Sequence, residues 1–370
     1  MDKSEQTQKA GDNAVQNQIG MQIVVGVDEK RVREICDEKV SIAIRDLSFD
    51  ASDLARQRID TLTNKVIEKI KKDPSNIQAF SDPSFQRDIV RTQIAAAESD
   101  REPDIETLSE LLLARMNGKL KRSTKTGLRK AIEIVPELED VELAALTVLL
   151  FCNKYRINNL SALYADQSLA SLNHFFAKIF ASSKLPEGIR WLQHLSILDC
   201  VEVDHARHFE EFEKYFEKVF NGIICVGLAK GSPEHIEAAK IMNECGVGAD
   251  ILVQNDLLTE HVRLPIVNLG DLSRLPLNIP NTAGFYTMNP TEKHKEVLKK
   301  VIGLYKKDSA LLQKAKSAFA EKMSKYWAIC RFRDWLASQK HYFDLTPIGE
   351  ALAYVNARRC IPELPIMELE

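Results

Sequence analysis

The sequence predicts a mainly α protein: helical bundle domains with a short β-prone N-terminal tail and a small mixed α/β or irregular region in the middle. Apolar residues recur at helical spacing through most of the chain. Within the first 27 residues they instead follow the period of a strand, and glycine and proline are frequent from Gly222 to Asn281. We therefore expect four segments: a self-association tail (1–27), an all-helical domain (28–183), a mixed region with loops and short strands (184–289) and a basic, winged-helix-like helical domain (290–370).

Length and composition limit the class of protein. The chain has 370 residues, which exceeds the roughly 100 to 200 residues of one domain, so we expect two or three packed units. The 7 cysteines are an odd number and none stands in a CxxC pair, which favours free thiols in a reducing compartment. No signal peptide is visible, and no apolar run approaches the roughly 18 residues that span a bilayer. These features predict a cytoplasmic protein with no membrane partner.

The tail carries the clearest local pattern. From Val15 to Val27 the odd positions are mostly apolar and the even ones mostly glutamine or glycine, so a strand would have one apolar and one amide face. The stretch from Asn13 to Val27 has no charge and no proline, a composition that stacks into cross-β assemblies. The alternatives to self-association are that the tail forms a strand within its own chain or that it is disordered. The residues expected to carry self-association are Val15, Gln16, Gln18, Ile19, Gly20, Gln22, Ile23 and Val25.

Helical spacing begins at Asp28, a candidate N-cap. Thr346 followed by Pro347 is typical of another helix start. Between the two main groups of helices we expect a helix through Ile189–Leu198, a short strand at 200–203 and a helix through 209–220. The other predicted helices lie near 52–72, 84–98, 105–117, 123–134, 138–154, 166–180, 291–306, 309–326, 327–339 and 346–358.

Two motifs were weighed as chemical sites. His205 and His208 stand three residues apart, which would place both on one helix face, and the carboxylates beside them make this a candidate metal site. A solvated, charged helix face is the alternative interpretation. The glycines of the stretch 222–227 are spaced as in a phosphate-binding loop, but Leu228 and Ala229 follow where that loop needs lysine and Ser or Thr. We therefore interpret 222–227 as a strand followed by a turn, and no motif predicts a catalytic residue or a cofactor.

The C-terminal segment is basic. Residues 291–360 carry 15 Lys and Arg against 7 Asp and Glu, a balance of +8, and the whole chain carries −3, which leaves −11 elsewhere. Aromatic residues alternate there with Lys325, Arg331, Arg333 and Lys340, a combination that can bind nucleic acid through phosphate contacts and base stacking. In the alternative interpretation the rings pack in the core and the cations face solvent.

Three stretches, GDNAVQNQIGMQIVVG, LPEGIRWLQHLSILDC and FDLTPIGEALAYVNARR, together resemble a family of uncharacterised bacterial proteins known by locus labels. This resemblance covers most of the chain and implies no activity, cofactor or catalytic residue. The tail is also similar to the amyloid-signalling motifs of bacterial defence and cell-death proteins, which resemble the RIP homotypic interaction motif. The stretch from Asn17 to Gly20 follows its order of apolar residue, Gln, apolar residue and Gly, with Asn17 in the first apolar position.

Three hypotheses follow, each from a different class. In the leading one the chain is a non-enzymatic interaction or sensing protein that self-assembles through its tail, in bacterial stress or antiviral defence. Its partners would be further copies of itself or another protein with a similar tail. The second is a nucleic-acid-binding regulator that uses the basic C-terminal domain. The third is a metal-dependent hydrolase built around His205 and His208.

Overall fold

A computed structural model of the chain describes residues 29–45, 49–72, 74, 77–117, 120–154, 164–209, 212–281 and 284–364. These residues are mostly helical, which confirms the predicted mainly α class. They belong to two compact units that are both discontinuous in sequence. The first unit comprises residues up to 150 together with 186–202 and 344 onward, and the second comprises 151–185 and 203–343.

The helices in chain order are α1 (Glu29–Ala43), α2 (Phe49–Lys72), α3 (Pro83–Glu98), α4 (Glu102–Arg115), α5 (Arg122–Ile134), α6 (Asp140–Lys154), α7 (Ala165–Ser182), α8 (Arg190–Ile197), α9 (Phe212–Val219), α10 (Pro233–Glu244), α11 (Glu292–Gly303), α12 (Ser309–Met323), α13 (Trp327–Ser338) and α14 (Pro347–Cys360). The strands are β1 (Val201–Asp204), β2 (Leu228–Ala229), β3 (Val253–Gln254), β4 (His261–Arg263), β5 (Leu277–Asn281), β6 (Gly284–Met288) and β7 (Tyr342–Leu345). No helix in these described ranges is both long and apolar enough to cross a membrane.

The first unit is a bundle built on α3. Helices α1 and α2 pack against α3, α2 also packs against α4, and the C-terminal helix α14 packs against α4 and α5. The side chains at the centre are almost completely buried, as expected for amphipathic helices that share one core. They include Ile59, Phe85, Leu108, Leu128 and Leu352.

The second unit combines a small sheet with helices. Strand β4 is central and pairs antiparallel with β2 and β3, with Leu228 opposite Val262 and Val253 opposite Arg263. Helices α10 and α11 pack against each other over a core that Met242, Leu277 and Leu298 share with the sheet. A second group of buried rings joins α7 to α13, where the Phe176 and Phe332 rings lie 4.9 Å apart.

Local sequence explains where many helices begin. A short polar side chain at the N-cap accepts hydrogen bonds from the first backbone N–H groups, which have no partner inside the helix. Three of these caps are followed by proline at the first helical position, where its missing N–H has no cost. The capping residues are Asp82 for α3, Ser232 for α10, Thr291 for α11, Asp308 for α12 and Thr346 for α14.

The interpretation of residues 222–227 as a strand is wrong. This stretch forms turns and bends, and strand β2 begins only at Leu228. Backbone from elsewhere in the unit comes close to this turn: a Cβ on Gly222 would lie 2.4 Å from the carbonyl oxygen of Ile266. Gly227 has a φ of 73°, in the region that favours glycine.

Candidate functional site

The eight tail residues predicted to self-associate, Val15 to Val25, lie outside the described residues. Immediately after the tail, helix α1 begins at Glu29, so the predicted change to helix near Asp28 is confirmed. Val32, Ile35, Cys36 and Val40 are buried along one side of α1. The packed body of the protein therefore starts within a few residues of the last apolar residue of the tail.

His205 and His208 do not lie on a helix face, so that part of the interpretation is wrong. Both are exposed and sit in the turn and coil that follow β1. The carboxylate of Asp204 accepts a hydrogen bond from the Ala206 backbone N–H at 2.9 Å, which stabilises a turn here in place of a helix. His208 Nδ1 donates to the Lys340 carbonyl oxygen at 2.8 Å.

A third histidine, which the sequence pattern did not single out, completes this cluster. The rings of His205 and His341 have centroids 4.8 Å apart and are nearly perpendicular. Next to them the Arg207 guanidinium carbon lies 4.2 Å from the centre of the Tyr342 ring. Such a cation–π contact contributes about 0.5–1 kcal/mol at an exposed site. We call this group, His205, Arg207, His208, His341 and Tyr342, the 205–342 cluster.

The 205–342 cluster offers stacking surfaces and N–H donors. Within the part of the chain that the structure describes, no group of three or more His, Cys, Asp or Glu side chains is arranged to hold a metal ion.

The four predicted nucleic-acid cations occupy different surroundings. Lys325 and Lys340 are exposed at opposite ends of α13, which is about 18 Å long at 1.5 Å per residue. The Arg331 guanidinium carbon lies 5.2 Å from the centre of the Phe180 ring, and Arg333 pairs with Asp334. The structure thus brings Lys340 next to the 205–342 cluster and does not join all four into one patch.

The aromatic residues among these cations divide into two kinds. Phe332 and Trp335 are buried against the core, as the alternative interpretation expects. Trp327 is instead 55% exposed at the first position of α13 and is available for contact with a partner.

Buried thiols are not poised as nucleophiles. Cys36, Cys200 and Cys225 are buried, and burial is the largest cause that raises the pKa of each thiol to about 12. A cysteine nucleophile reacts as the thiolate, which is scarce at neutral pH when the thiol pKa is this high. These three residues therefore act as small apolar groups of the core.

Two buried polar groups were missed by sequence reasoning. In the first unit Asp88 is fully buried, and its carboxylate pairs with Arg91 at 2.9 Å, Arg115 at 2.8 Å and Arg129 at 3.1 Å. In the second unit His261 and Arg263 are both buried in strand β4. A signal for Asp88 did exist, since it stands three residues after Phe85 and next to Ile89, on the apolar side of α3.

Comparison with models of known protein families gives a match over most of the chain. The model of an uncharacterised family known by a locus label matches residues 26–369. No curated protein and no solved structure matches the chain.

Proposed function

We propose that this chain, which belongs to the uncharacterised family whose model matches residues 26–369, is a non-enzymatic interaction or sensing protein that self-assembles through its N-terminal tail. The single observation that carries the proposal is the uncharged alternation from Val15 to Val27. Because the tail resembles the amyloid-signalling motifs of bacterial defence proteins, we propose that the assembly serves stress or antiviral defence. The partner is another copy of the chain or a second protein with a similar tail.

The chemistry of the tail supports assembly. A strand from Val15 to Val27 would present Ile19 and Ile23 on one face and glutamines on the other. Copies stacked in register place identical apolar residues against each other and align the glutamine amides into ladders. Because no charge is repeated along the stack, no electrostatic repulsion opposes its growth.

The organisation of the chain also supports a separate tail. The core of the first unit is formed by α1 and later elements, with Val32 and Ile59 among its buried residues. The family match begins at residue 26, close to the start of α1 at Glu29. Both observations support a body that folds without the tail, which would leave the tail for a different role.

The experiment compares the full chain with residues 28–370 by light scattering and thioflavin fluorescence. We expect the full chain to assemble and the shortened chain to stay monomeric. The far-UV circular dichroism spectrum of the shortened chain should show that its helices are retained. The variant Ile19→Lys/Ile23→Lys should also stay monomeric, because charge repeated in register repels. The matched control, Gln6→Lys/Gln8→Lys, adds the same two charges upstream of the alternation and should still assemble. Equal behaviour of all four proteins would refute the proposal.

A second candidate function, a nucleic-acid-binding regulator, is favoured by one observation. Lys340 is exposed beside Arg207, whose guanidinium lies over the half-buried Tyr342 ring, so two exposed cations and an aromatic ring lie together. In this candidate Lys340 contacts phosphate beside the 205–342 cluster, and Lys325, Arg331 and Arg333 contact phosphates separately along α13. The variant Lys325→Glu/Lys340→Glu tests it and is included in the binding experiment described below.

A further inference from the structure

Helix α5 in the first unit carries an unusually one-sided set of cations. Lys121, Arg122, Lys125 and Arg129 fall within an arc of about 100° when 3.6 residues make one turn. They extend over about 12 Å at 1.5 Å per residue. The first turn contains no acidic residue, and the first carboxylate within the helix is Glu133. We call these four residues the α5 basic face.

The buried Asp88 fixes the far end of this face. Its carboxylate accepts a hydrogen bond from Nε of Arg129 at 3.1 Å and pairs with Arg115, which is itself buried, at 2.8 Å. Arg91 binds Asp88 as well and pairs with Glu133 at 3.0 Å. The three guanidinium groups share the two carboxylates of Asp88 and Glu133. The Asp82 carboxylate also interacts electrostatically with Arg115 and with Lys125 of the α5 basic face.

The cations have an electrostatic cost where they stand. The positive end of a helix dipole disfavours cations that lie in the first turn. Lys121 occupies the N-cap position of α5 and makes no side-chain capping bond, whereas Asp82 caps the neighbouring α3. Among the described residues no carboxylate forms an ion pair with Lys121 or Arg122, and an anionic partner would convert the cost into binding energy.

The chemistry of the face selects the kind of anion. No large apolar residue is exposed on α5, whose apolar side chains Leu128, Ala131 and Ile132 are buried, so the face has no anchor for a lipid surface. It also has no aromatic ring on which unpaired bases could stack. A length of about 12 Å corresponds to three or four phosphates along one strand of a duplex, which rises 3.4 Å per nucleotide.

We propose that the α5 basic face binds the phosphate backbone of double-stranded nucleic acid without reading its sequence. This site belongs to the first unit, whereas the cations of the second candidate function belong to the second unit, and it does not depend on tail assembly. Four phosphate contacts predict that the logarithm of the association constant falls with the logarithm of salt concentration with a slope of about −3.6.

The test measures binding of the full chain to a fluorescein-labelled 20-base-pair DNA duplex by fluorescence anisotropy, below the concentration at which the chain assembles. Salt is varied from 50 to 200 mM. We expect Arg122→Glu/Lys125→Glu to weaken binding at least tenfold at 50 mM and to make the slope shallower by about 2. The neutral pair Arg122→Gln/Lys125→Gln should give a smaller loss in the same direction, and far-UV circular dichroism checks that both variants fold.

The matched control is Lys325→Glu/Lys340→Glu, which changes the net charge by the same −4 and should keep at least half of the affinity. Loss of affinity in this control alone would overturn the inference and support the second candidate function. Equal losses in both double variants would mean that overall charge, not the α5 basic face, drives binding. The inference also fails if the wild-type chain binds no duplex, or if it binds phosphatidylserine vesicles more tightly than DNA.

Discussion

Two buried polar side chains show how differently the protein treats a charge in its interior. Asp88 is fully buried and pairs with three arginines, so its charge is compensated from several directions. His261 is also buried, but neither of its ring nitrogens has a hydrogen-bond partner among the described residues. The first arrangement stabilises an ion in the folded state, whereas the second favours the neutral ring.

His261 therefore makes the stability of the second unit depend on pH. Burial, followed by the positive charge of Lys306, lowers the pKa of His261, and the nearby Glu260 and Asp308 oppose this only in part. In the unfolded chain a histidine has a pKa of about 6.5, so between the two values the unfolded state binds more protons. The stabilising contribution is complete above pH 6.5 and is lost as the pH falls toward the folded pKa.

We expect the wild-type chain to lose more stability between pH 7.5 and pH 5 than His261→Gln, which cannot take up the proton. Urea midpoints, followed by tryptophan fluorescence across this range, measure the difference. The variant His174→Gln is the control, because His174 is exposed on α7 in the same unit and its replacement should leave the pH profile parallel to that of wild type. If the urea midpoints of wild type and His261→Gln changed in parallel with pH, His261 would not be the source of this pH dependence.

At the scale of single elements, the sequence predicted most helices within a few residues. Helix α5 was expected at 123–134 and spans Arg122–Ile134, and the last helix was expected at 346–358 and spans Pro347–Cys360. This works because periodicity and capping residues such as Thr346 act over one or two turns. The turn at 222–227 was misjudged for the opposite reason: its shape is imposed by the Ile266 carbonyl, which is distant in sequence.

The start of α14 depends both on a local capping signal and on contacts with residues that are distant in sequence. Thr346 Oγ1 accepts hydrogen bonds from the backbone N–H groups of Ile348 and Gly349, as the Thr-Pro signal predicts. The same hydroxyl donates to the Asp199 carbonyl oxygen at 2.6 Å. A Cβ on Gly349 would lie 2.1 Å from the carbonyl oxygen of Cys200. The glycine is therefore required by a contact that local sequence does not encode.

We predict that Gly349→Ala lowers the free energy of unfolding by about 1–3 kcal/mol, because the backbone of α14 must move away from Cys200. Gly303→Ala is the matched control: Gly303 ends helix α11, and its Cβ would meet nothing within 4 Å. Alanine is a better helix former than glycine, so this variant should be unchanged or slightly more stable. Urea unfolding, followed by circular dichroism, compares the two variants. Equal changes in their free energies of unfolding would show that the close approach to Cys200 does not determine stability.

At the scale of the whole molecule, the sequence predicted the mainly α class but not which distant segments share one core. The first unit takes residues from 344 onward together with residues up to 150, so its core joins segments about 200 residues apart. The pairing of Asn356 with Thr147, at 2.7 Å, is one such contact. Helical periodicity shows which face of a segment is buried but not which distant segment covers it. For the same reason Asp88 and its arginines were not recognised as a site.

If the chain is divided into an assembling tail and a self-contained body, the tail alone should be sufficient for assembly. If cross-β stacking of Val15–Val27 drives assembly, the body contributes no necessary contact, and residues 1–28 fused to an inert monomeric carrier should assemble. The tail stretch that stacks has no charge, so this assembly should change little between 50 and 500 mM salt, unlike duplex binding by the α5 basic face. Light scattering of the fusion and of its Ile19→Lys/Ile23→Lys form measures whether the tail assembles and how the assembly depends on salt. A fusion that remains monomeric while the full chain assembles would mean that the helical body takes part in the contact between copies.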